Sequence, residues 1–174
     1  MFVKAKLTPR SRQIRDALAV LGAHGGAGGG QACGRADDVD PVMHLIGTSI
    51  GRGGNPREAA VYESRYLEQN DGNTAHWLRV GDVPVDGFWS VSVYNRDGYF
   101  EKNDRSACSV NNLTARKEGD GSILIRFGGN PEGAGNYLPI TPGWNYTVRL
   151  YRPHRNVLDG SWKFPQARPA GSAP

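Results

Sequence analysis

The chain is poor in cysteine and in long apolar runs. It holds two cysteines, Cys33 and Cys108, in 174 residues, and two thiols do not make the disulfide framework that staples small secreted domains. Cys33 lies in a glycine-rich segment that gives it no fixed geometry for pairing, so we expect two free thiols. No run approaches the roughly 18 apolar residues of a membrane-spanning helix. The sequence therefore predicts no transmembrane segment.

Clustered charge of one sign is also scarce. The 21 lysines and arginines face 17 acidic residues, a net charge of +4, and the densest basic stretches, 4–15 and 149–155, are diluted by other residues. Nucleic-acid-binding domains cluster their basic residues on one face, so we expect a solvated surface and no nucleic-acid partner. The basic start at residues 1–6 is not followed by an apolar stretch, so no signal peptide is recognised.

Catalytic and metal-binding motifs are missing as well. The four histidines are scattered, with neither H-E-x-x-H nor His-x-His spacing, which predicts no metal site. Residues 47–51 match G-x-S-x-G, but the preceding residues predict a helix, where a nucleophile elbow needs a strand. Carboxylate pairs for glycoside hydrolysis stay open, because any two carboxylates could meet in the fold. The sequence predicts no cofactor and leaves catalytic residues unknown.

Glycine and proline, in contrast, are abundant. The 24 glycines and 11 prolines are typical of a turn-rich, mainly β chain. Two helix starts, Thr8-Pro9 and Asp40-Pro41, each place a capping residue before a proline at the first helical position, and the glycine-rich residues 22–34 between them predict a flexible link. Asn55-Pro56 predicts a third short turn, with Glu58 in a capping box. Its packing face would be Ala59, Ala60 and Tyr62.

Beyond about residue 64 the apolar residues alternate with a period of two, which predicts strands. The alternating runs are 76–80, 88–94, 122–127 and 146–151. Three Asp-Gly pairs beside them, 71–72, 97–98 and 120–121, are typical of turns in antiparallel structure. We therefore predict a mainly β fold, an antiparallel jelly-roll-like β-sandwich with a short helical N-terminal segment. Residues 1–39 would form the N-terminal helix and link, 40–167 the sandwich domain, and 168–174 a flexible tail.

A set of five polar side chains is the candidate ligand-binding site. Arg149 and Tyr151 share one face of the last predicted strand, and Arg152 follows it. Asn111 and Asn112 add amide groups, and this combination suits anionic or hydroxylated ligands. For the two asparagines, hydrogen bonds to neighbouring turns are the alternative.

Several long motifs occur in order along the C-terminal part of the chain. They are residues 88–95, 97–100, 109–112, 137–146, 149–153 and 157–165. Together they closely resemble the DUF1214 family, the domain usually found C-terminal to DUF1254 in bacterial proteins. Residues 40–62 are similar to short stand-alone members, so the resemblance spans 40–167.

The resemblance implies a fold more than an activity. It implies a bacterial protein with a jelly-roll-type sandwich, a DUF1254-type partner and periplasmic export, and it offers no catalytic residues to carry over. Some relatives have a cysteine pair in the segment that matches residues 128–138, and this chain has none there.

Two functions are consistent with these observations. The first is a non-catalytic β-sandwich module that binds a small polar or anionic ligand, or a partner chain such as a second copy. The alternative is an enzyme that acts on an envelope-related carbohydrate, lipid or other small molecule, with its site in the sandwich loops. We favour the binding or structural module, because no catalytic motif is present.

Overall fold

Eight strands in two sheets, two short helices with defined bounds and a few helical residues between 9 and 17 are assigned in the described part of the chain. The structure, a computed structural model, describes residues 9–10, 13–14, 17, 33–34, 37, 39–50, 54–133 and 135–171. The chain divides into two units, residues 1–61 and 62–174.

Both predicted helix starts in the first unit are helical where they are described. Residues 9–10, 13–14 and 17 are helical, and helix α1 spans Pro41–Ile50. The Asp40 carboxylate accepts hydrogen bonds from the backbone N–H groups of Val42 and Met43, both at 2.9 Å. This satisfies two donors that a helix start leaves without an intrahelical partner. The predicted link, 22–34, lies outside the described residues except for its last two.

Each sheet has four strands. Sheet A has the order β1-β7-β3-β4 and sheet B the order β6-β5-β2-β8. The strands of sheet A are β1 (Ala60–Tyr66), β3 (Trp89–Tyr94), β4 (Ser109–Asn111) and β7 (Asn145–Tyr151). Those of sheet B are β2 (His76–Val80), β5 (Ile123–Phe127), β6 (Asn136–Leu138) and β8 (Arg168–Pro169), and a short helix, α2 (Arg155–Leu158), follows β7.

Buried aromatic rings join the inner faces of the two sheets. Phe127 on β5 stacks on Tyr146 on β7, with ring centroids 5.3 Å apart, and on Trp144, at 5.1 Å. All three side chains are completely buried, and burying a side chain of this size contributes about 2 kcal/mol. Alternate residues of β5 and β7 are buried. The residues that alternate with these, such as Arg126 on β5 and Arg149 on β7, therefore lie on the outer faces of the sheets.

The prediction of a mainly β chain is confirmed, as are the four predicted strands, each within one residue of its predicted limits. All three Asp-Gly glycines adopt positive φ: Gly72 at 83°, Gly98 at 78° and Gly121 at 83°. The expectation of two free thiols is also confirmed. The sheets are not purely antiparallel, because β5 and β6 run parallel, and helix is not confined to the N-terminal segment, since α2 lies near the other end.

Two local predictions were wrong. The predicted short turn is present and closes with the hydrogen bond from the Ala60 N–H to the Pro56 carbonyl oxygen, 3.0 Å, but the packing face predicted for it does not form, because Ala60 and Tyr62 belong to strand β1. The predicted tail from residue 168 begins instead with a strand, β8, paired with β2. A proline is tolerated there because β8 is an edge strand.

Candidate functional site

The side of sheet A that faces away from the buried aromatic rings is lined by hydroxyl groups around one arginine. Ser90 and Ser92 on this side are buried, and Arg149 is half-buried. We call this surface the hydroxyl face. Its members are Ser90, Ser92 and Tyr94 of β3, Thr147, Arg149 and Tyr151 of β7, and Ser109 and Asn111 of β4. They lie together because side chains alternate along a strand and because the register pairs Ser90 with both Arg149 and Asn111.

Arg149 is held in the hydroxyl face by neutral acceptors. Its Nη1 donates to Ser92 Oγ at 3.0 Å and its Nη2 donates to Tyr94 Oη at 2.5 Å. The guanidinium carbon lies 5.8 Å from the centroid of the Tyr94 ring. Within the described residues no ion pair engages Arg149. Because a guanidinium has five N–H donors, Arg149 keeps donors and a full positive charge for an anion.

The neighbouring hydroxyls form hydrogen-bonded pairs that fix the acceptors of Arg149. Ser92 Oγ donates to Ser109 Oγ at 3.0 Å, and Ser109 Oγ contacts the Val91 carbonyl oxygen at 3.2 Å. Ser64 Oγ and Thr147 Oγ1 lie 3.2 Å apart and continue the polar surface onto β1. Arg149 therefore sits on a pre-arranged support rather than on a mobile loop.

The two candidate asparagines hold backbone. Asn111 Oδ1 accepts hydrogen bonds from the N–H groups of Leu113 and Thr114, at 2.9 and 3.0 Å. Asn112 Oδ1 accepts one from Trp89 N–H at 3.0 Å, which ties the chain after β4 to β3. The Asn111 contacts are the turn contacts named above as the alternative, whereas the Asn112 contact reaches a distant strand.

Tyr151 and Arg152 lie where β7 ends. The Tyr151 ring stacks on Phe88, with centroids 4.4 Å apart and planes 21° from parallel. Arg152 has a positive φ of 52°, and its Nη2 donates to the Asp86 carbonyl oxygen at 3.1 Å. His154 Nε2 lies 2.9 Å from Asp86 Oδ1, and this hydrogen bond and the charge of His154 lower the pKa of Asp86.

Of the five predicted residues, the structure brings Asn111 and Arg149 into one row and places Tyr151 on the same face. Asn112 contacts β3 backbone, and Arg152 joins the Asp86–His154 pair. Sequence reasoning missed Ser92 and Tyr94 as the partners of Arg149. The alternation on residues 88–94 placed them on one face, but only the β3–β7 register shows that they lie within reach of Arg149.

A small cavity lies beside the hydroxyl face. It measures about 80 Å³ and is lined by, among others, Tyr94, Glu101, Cys108 and Thr141. Sites for small molecules are several times larger, so this cavity does not enclose a sugar or a nucleotide. In the part of the chain that is described, no three His, Cys, Asp or Glu side chains lie close enough together to hold a metal ion. No helix there is both long and apolar enough to span a membrane.

Comparison with known proteins gives a family and a fold. The family model described as "Protein of unknown function (DUF1214)" matches residues 60–155, and no curated protein matches. The VPA0106 protein from Vibrio parahaemolyticus is similar in structure, with a TM-score of 0.69 and 22% identity over 96% of this chain and 47% of that one. An uncharacterised protein from Burkholderia cenocepacia has a TM-score of 0.49 and 21% identity, over 67% of this chain and 30% of its own. The chain thus spans about half the length of the Vibrio protein.

Proposed function

This chain belongs to the DUF1214 family, and we propose that it is a non-catalytic binding module that takes a small anionic ligand at Arg149 on the hydroxyl face. The observation that carries the proposal is the Arg149 guanidinium, which neutral hydroxyls hold in place at 3.0 Å from Ser92 and 2.5 Å from Tyr94. A cation fixed in this way loses little freedom when a carboxylate or phosphate binds.

The ligand would be bound by charge and by hydroxyl contacts together. Arg149 offers the fork of N–H donors that matches a carboxylate or phosphate. Thr147 and Tyr151 flank it on β7 and supply further hydroxyls. Asn111 and Asn112 would support the site through β4, and Arg152 would add positive charge at the end of β7. A small hydroxylated acid, such as a uronic acid or a sugar phosphate, has this chemistry.

The finer architecture and the partners are also proposals. Eight strands in two four-stranded sheets support a jelly-roll-type sandwich. A second copy of the chain or a DUF1254-type protein is the proposed protein partner, because edge strands β1, β4, β6 and β8 offer backbone groups for pairing.

The enzyme alternative has less support. Its best feature is the Asp86–His154 pair, at 2.9 Å, in which the two side chains are 65% and 49% exposed. Among the described residues no serine, threonine or cysteine is hydrogen-bonded to that histidine, so it activates no nucleophile there.

The test is a thermal-shift and calorimetric screen of small anions. Wild type would be titrated with phosphate, glucuronate and glucose 6-phosphate, and with glucose as the neutral reference. Arg149→Gln removes the charge, Arg149→Lys keeps the charge without the fork, and Arg155→Gln on α2 is the matched control. A ligand at a hundred times its Kd stabilises the folded state by about 2.7 kcal/mol.

We expect the anions, and not glucose, to raise the melting temperature of wild type and of Arg155→Gln. Arg149→Gln should lose the effect, and Arg149→Lys should keep part of it. No shift with any anion, or an equal shift in Arg149→Gln, would refute the proposal.

A further inference from the structure

A row of alternating arginine and aromatic side chains crosses the outer face of sheet B. The strand register aligns Arg168 with Trp77, Trp77 with Arg126, and Arg126 with Tyr137. These four residues come from β8, β2, β5 and β6, so the row spans the whole sheet. Arg105, from the loop between β3 and β4, extends it, with its guanidinium carbon 5.5 Å from the centroid of the Tyr137 ring. We call these five residues the arginine–aromatic row.

The stacking in this row orients the guanidinium groups. Arg126 lies over the Trp77 ring, 4.4 Å from its centroid. Such contacts attract a guanidinium to the face of the ring and favour one rotamer of a long side chain. A guanidinium that covers a ring face keeps its N–H edge free, so the row presents N–H donors to solvent and covers one face of each stacked ring.

The charges in the row have no acidic partners in the structure as described. None of its three arginines takes part in an ion pair there. The neighbouring arginine on β2, Arg79, differs: its Nη1 lies 3.5 Å from Asp120 Oδ2 and 2.7 Å from Ser122 Oγ. On the strands of sheet B, the arginines without an ion pair, Arg126 and Arg168, therefore lie on one line that runs across the strands.

We propose that the arginine–aromatic row binds an acidic polysaccharide, an extended chain of carboxylate-bearing sugars laid across the strands of sheet B. Neighbouring strands lie about 4.8 Å apart, so Arg168 and Arg126, two strands apart, are anchored about 10 Å from each other. A linear polyanion reaches both, and its sugar hydroxyls meet the Tyr137 hydroxyl between Arg126 and Arg105. This surface is distinct from the hydroxyl face and does not depend on the function proposed there.

Other polyanions fit the row less well. Single-stranded nucleic acids bind by stacking bases on open aromatic faces, and here guanidinium groups cover Trp77 and Tyr137. A membrane presents a plane of charge, whereas this surface presents a line bordered by the Arg79–Asp120 pair. In an extended acidic peptide, side chains on one face repeat about every 6.7 Å, which does not match arginines anchored about 10 Å apart.

The test is a binding titration of the full chain with oligogalacturonate, using the fully methyl-esterified form as a neutral polymer of the same shape. Arg126→Gln and Arg168→Gln each remove one charge from the row, and Arg79→Gln is the matched control outside it. Arg168 is exposed at the edge of the sheet, so its variant remains informative if Arg126→Gln destabilises the fold.

We expect wild type and Arg79→Gln to bind oligogalacturonate and not the ester. Each row variant should bind about tenfold more weakly, the effect of one charge-assisted hydrogen bond. A control titration with oligo-dT, a poly-glutamate peptide and anionic vesicles should give weaker binding. Tighter binding to any of these three, no binding of oligogalacturonate, or equal losses in Arg79→Gln would overturn the proposal.

Discussion

At Gly87 the chain before β3 runs close to the end of β7. A Cβ atom at this position would lie 2.6 Å from the Tyr151 carbonyl oxygen and 3.1 Å from Tyr151 Cβ. The Gly87 N–H also donates to that oxygen, at 3.1 Å. The obstacle is backbone, which cannot swing aside as a flexible side chain does. The stack of Phe88 on Tyr151 depends on this close approach.

We predict that Gly87→Ala lowers the free energy of unfolding by about 1–3 kcal/mol, the usual range for overpacking. Gly81→Ala is the matched control, because a Cβ there meets nothing within 4 Å, and reducing unfolded-state freedom makes it neutral or stabilising by up to about 1 kcal/mol. Urea unfolding of both variants measures the difference. Equal stability in the two would show that β7 does not approach Gly87 this closely.

At the scale of elements, the strands whose apolar residues alternate were predictable, and the others were not. β1 has seven residues, AVYESRY, but its apolar residues do not alternate along its length, and the sequence did not predict it. In the sequences of β2, β3, β5 and β7, apolar residues recur at every second position over five to seven residues. On β3 both faces are buried from Trp89 to Val93, so the alternation there is one of residue type and not of exposure. β4 and β6 have three residues each and β8 has two, too few to show a period. Each of these short strands forms because a longer neighbouring strand offers unpaired backbone groups. The sequence of the short segment itself does not show which strand it will pair with.

The candidate sites, like the short strands, could be predicted from the sequence only in part. The sequence places Arg149 and Tyr151 on one face, since both lie on a strand that was predicted. It does not place Tyr94 near Arg149, since that needs the β3–β7 register. The arginine–aromatic row needs three registers, two of which involve the short strands β6 and β8, so no periodicity in the sequence indicates it.

We predict that a chain ending at Ala167 is less stable than one ending at Gly171. The shorter chain loses the pairing of β8 with His76 and Trp77 and the hydrogen bond from Ala170 N–H to the Ala75 carbonyl oxygen, 2.8 Å. At about 1 kcal/mol for each backbone hydrogen bond, the loss is about 2 kcal/mol. Thermal and urea unfolding would measure it, and equal stability would mean that β8 adds nothing to sheet B.

At the scale of the whole molecule, several shifted groups together determine the pH range of stability. Hydrogen bonds from nearby backbone and hydroxyl groups lower the pKa of three surface carboxyls. The donors are Thr74 and Asn73 for Asp71, Ser122 for Asp120, and Ser161 for Asp159. Hydrogen bonding from His154 does the same for Asp86. In the opposite sense, burial raises the pKa of the Tyr146 hydroxyl above its ordinary 10.0.

Both kinds of pKa shift narrow the pH range over which the fold is stable. A carboxyl whose pKa is lower in the folded state than in the unfolded chain stabilises the fold at pH values above its unfolded pKa, which is 3.8 for Asp71. That contribution is lost as the pH falls through the folded pKa. A phenol with a raised pKa contributes fully below its unfolded value and loses the contribution as the pH rises through the folded pKa. The unfolding free energy should therefore form a plateau that falls below about pH 4 and above about pH 10.

Two variants separate the limbs of this profile. Asp71→Asn keeps an oxygen that accepts hydrogen bonds from the N–H groups of Asn73 and Thr74, at 2.9 and 2.7 Å, but it no longer titrates. The fall of the unfolding free energy on the acid side should therefore become shallower, and the fall on the alkaline side should not change. Tyr146→Phe removes the acceptor of the Ala167 N–H, at 3.1 Å. Its plateau should be lower, while its alkaline limb flattens. Urea unfolding at a series of pH values tests both, and each variant is the control for the other. An acid limb unchanged in Asp71→Asn would mean that Asp71 binds its proton equally well in the folded and unfolded chain.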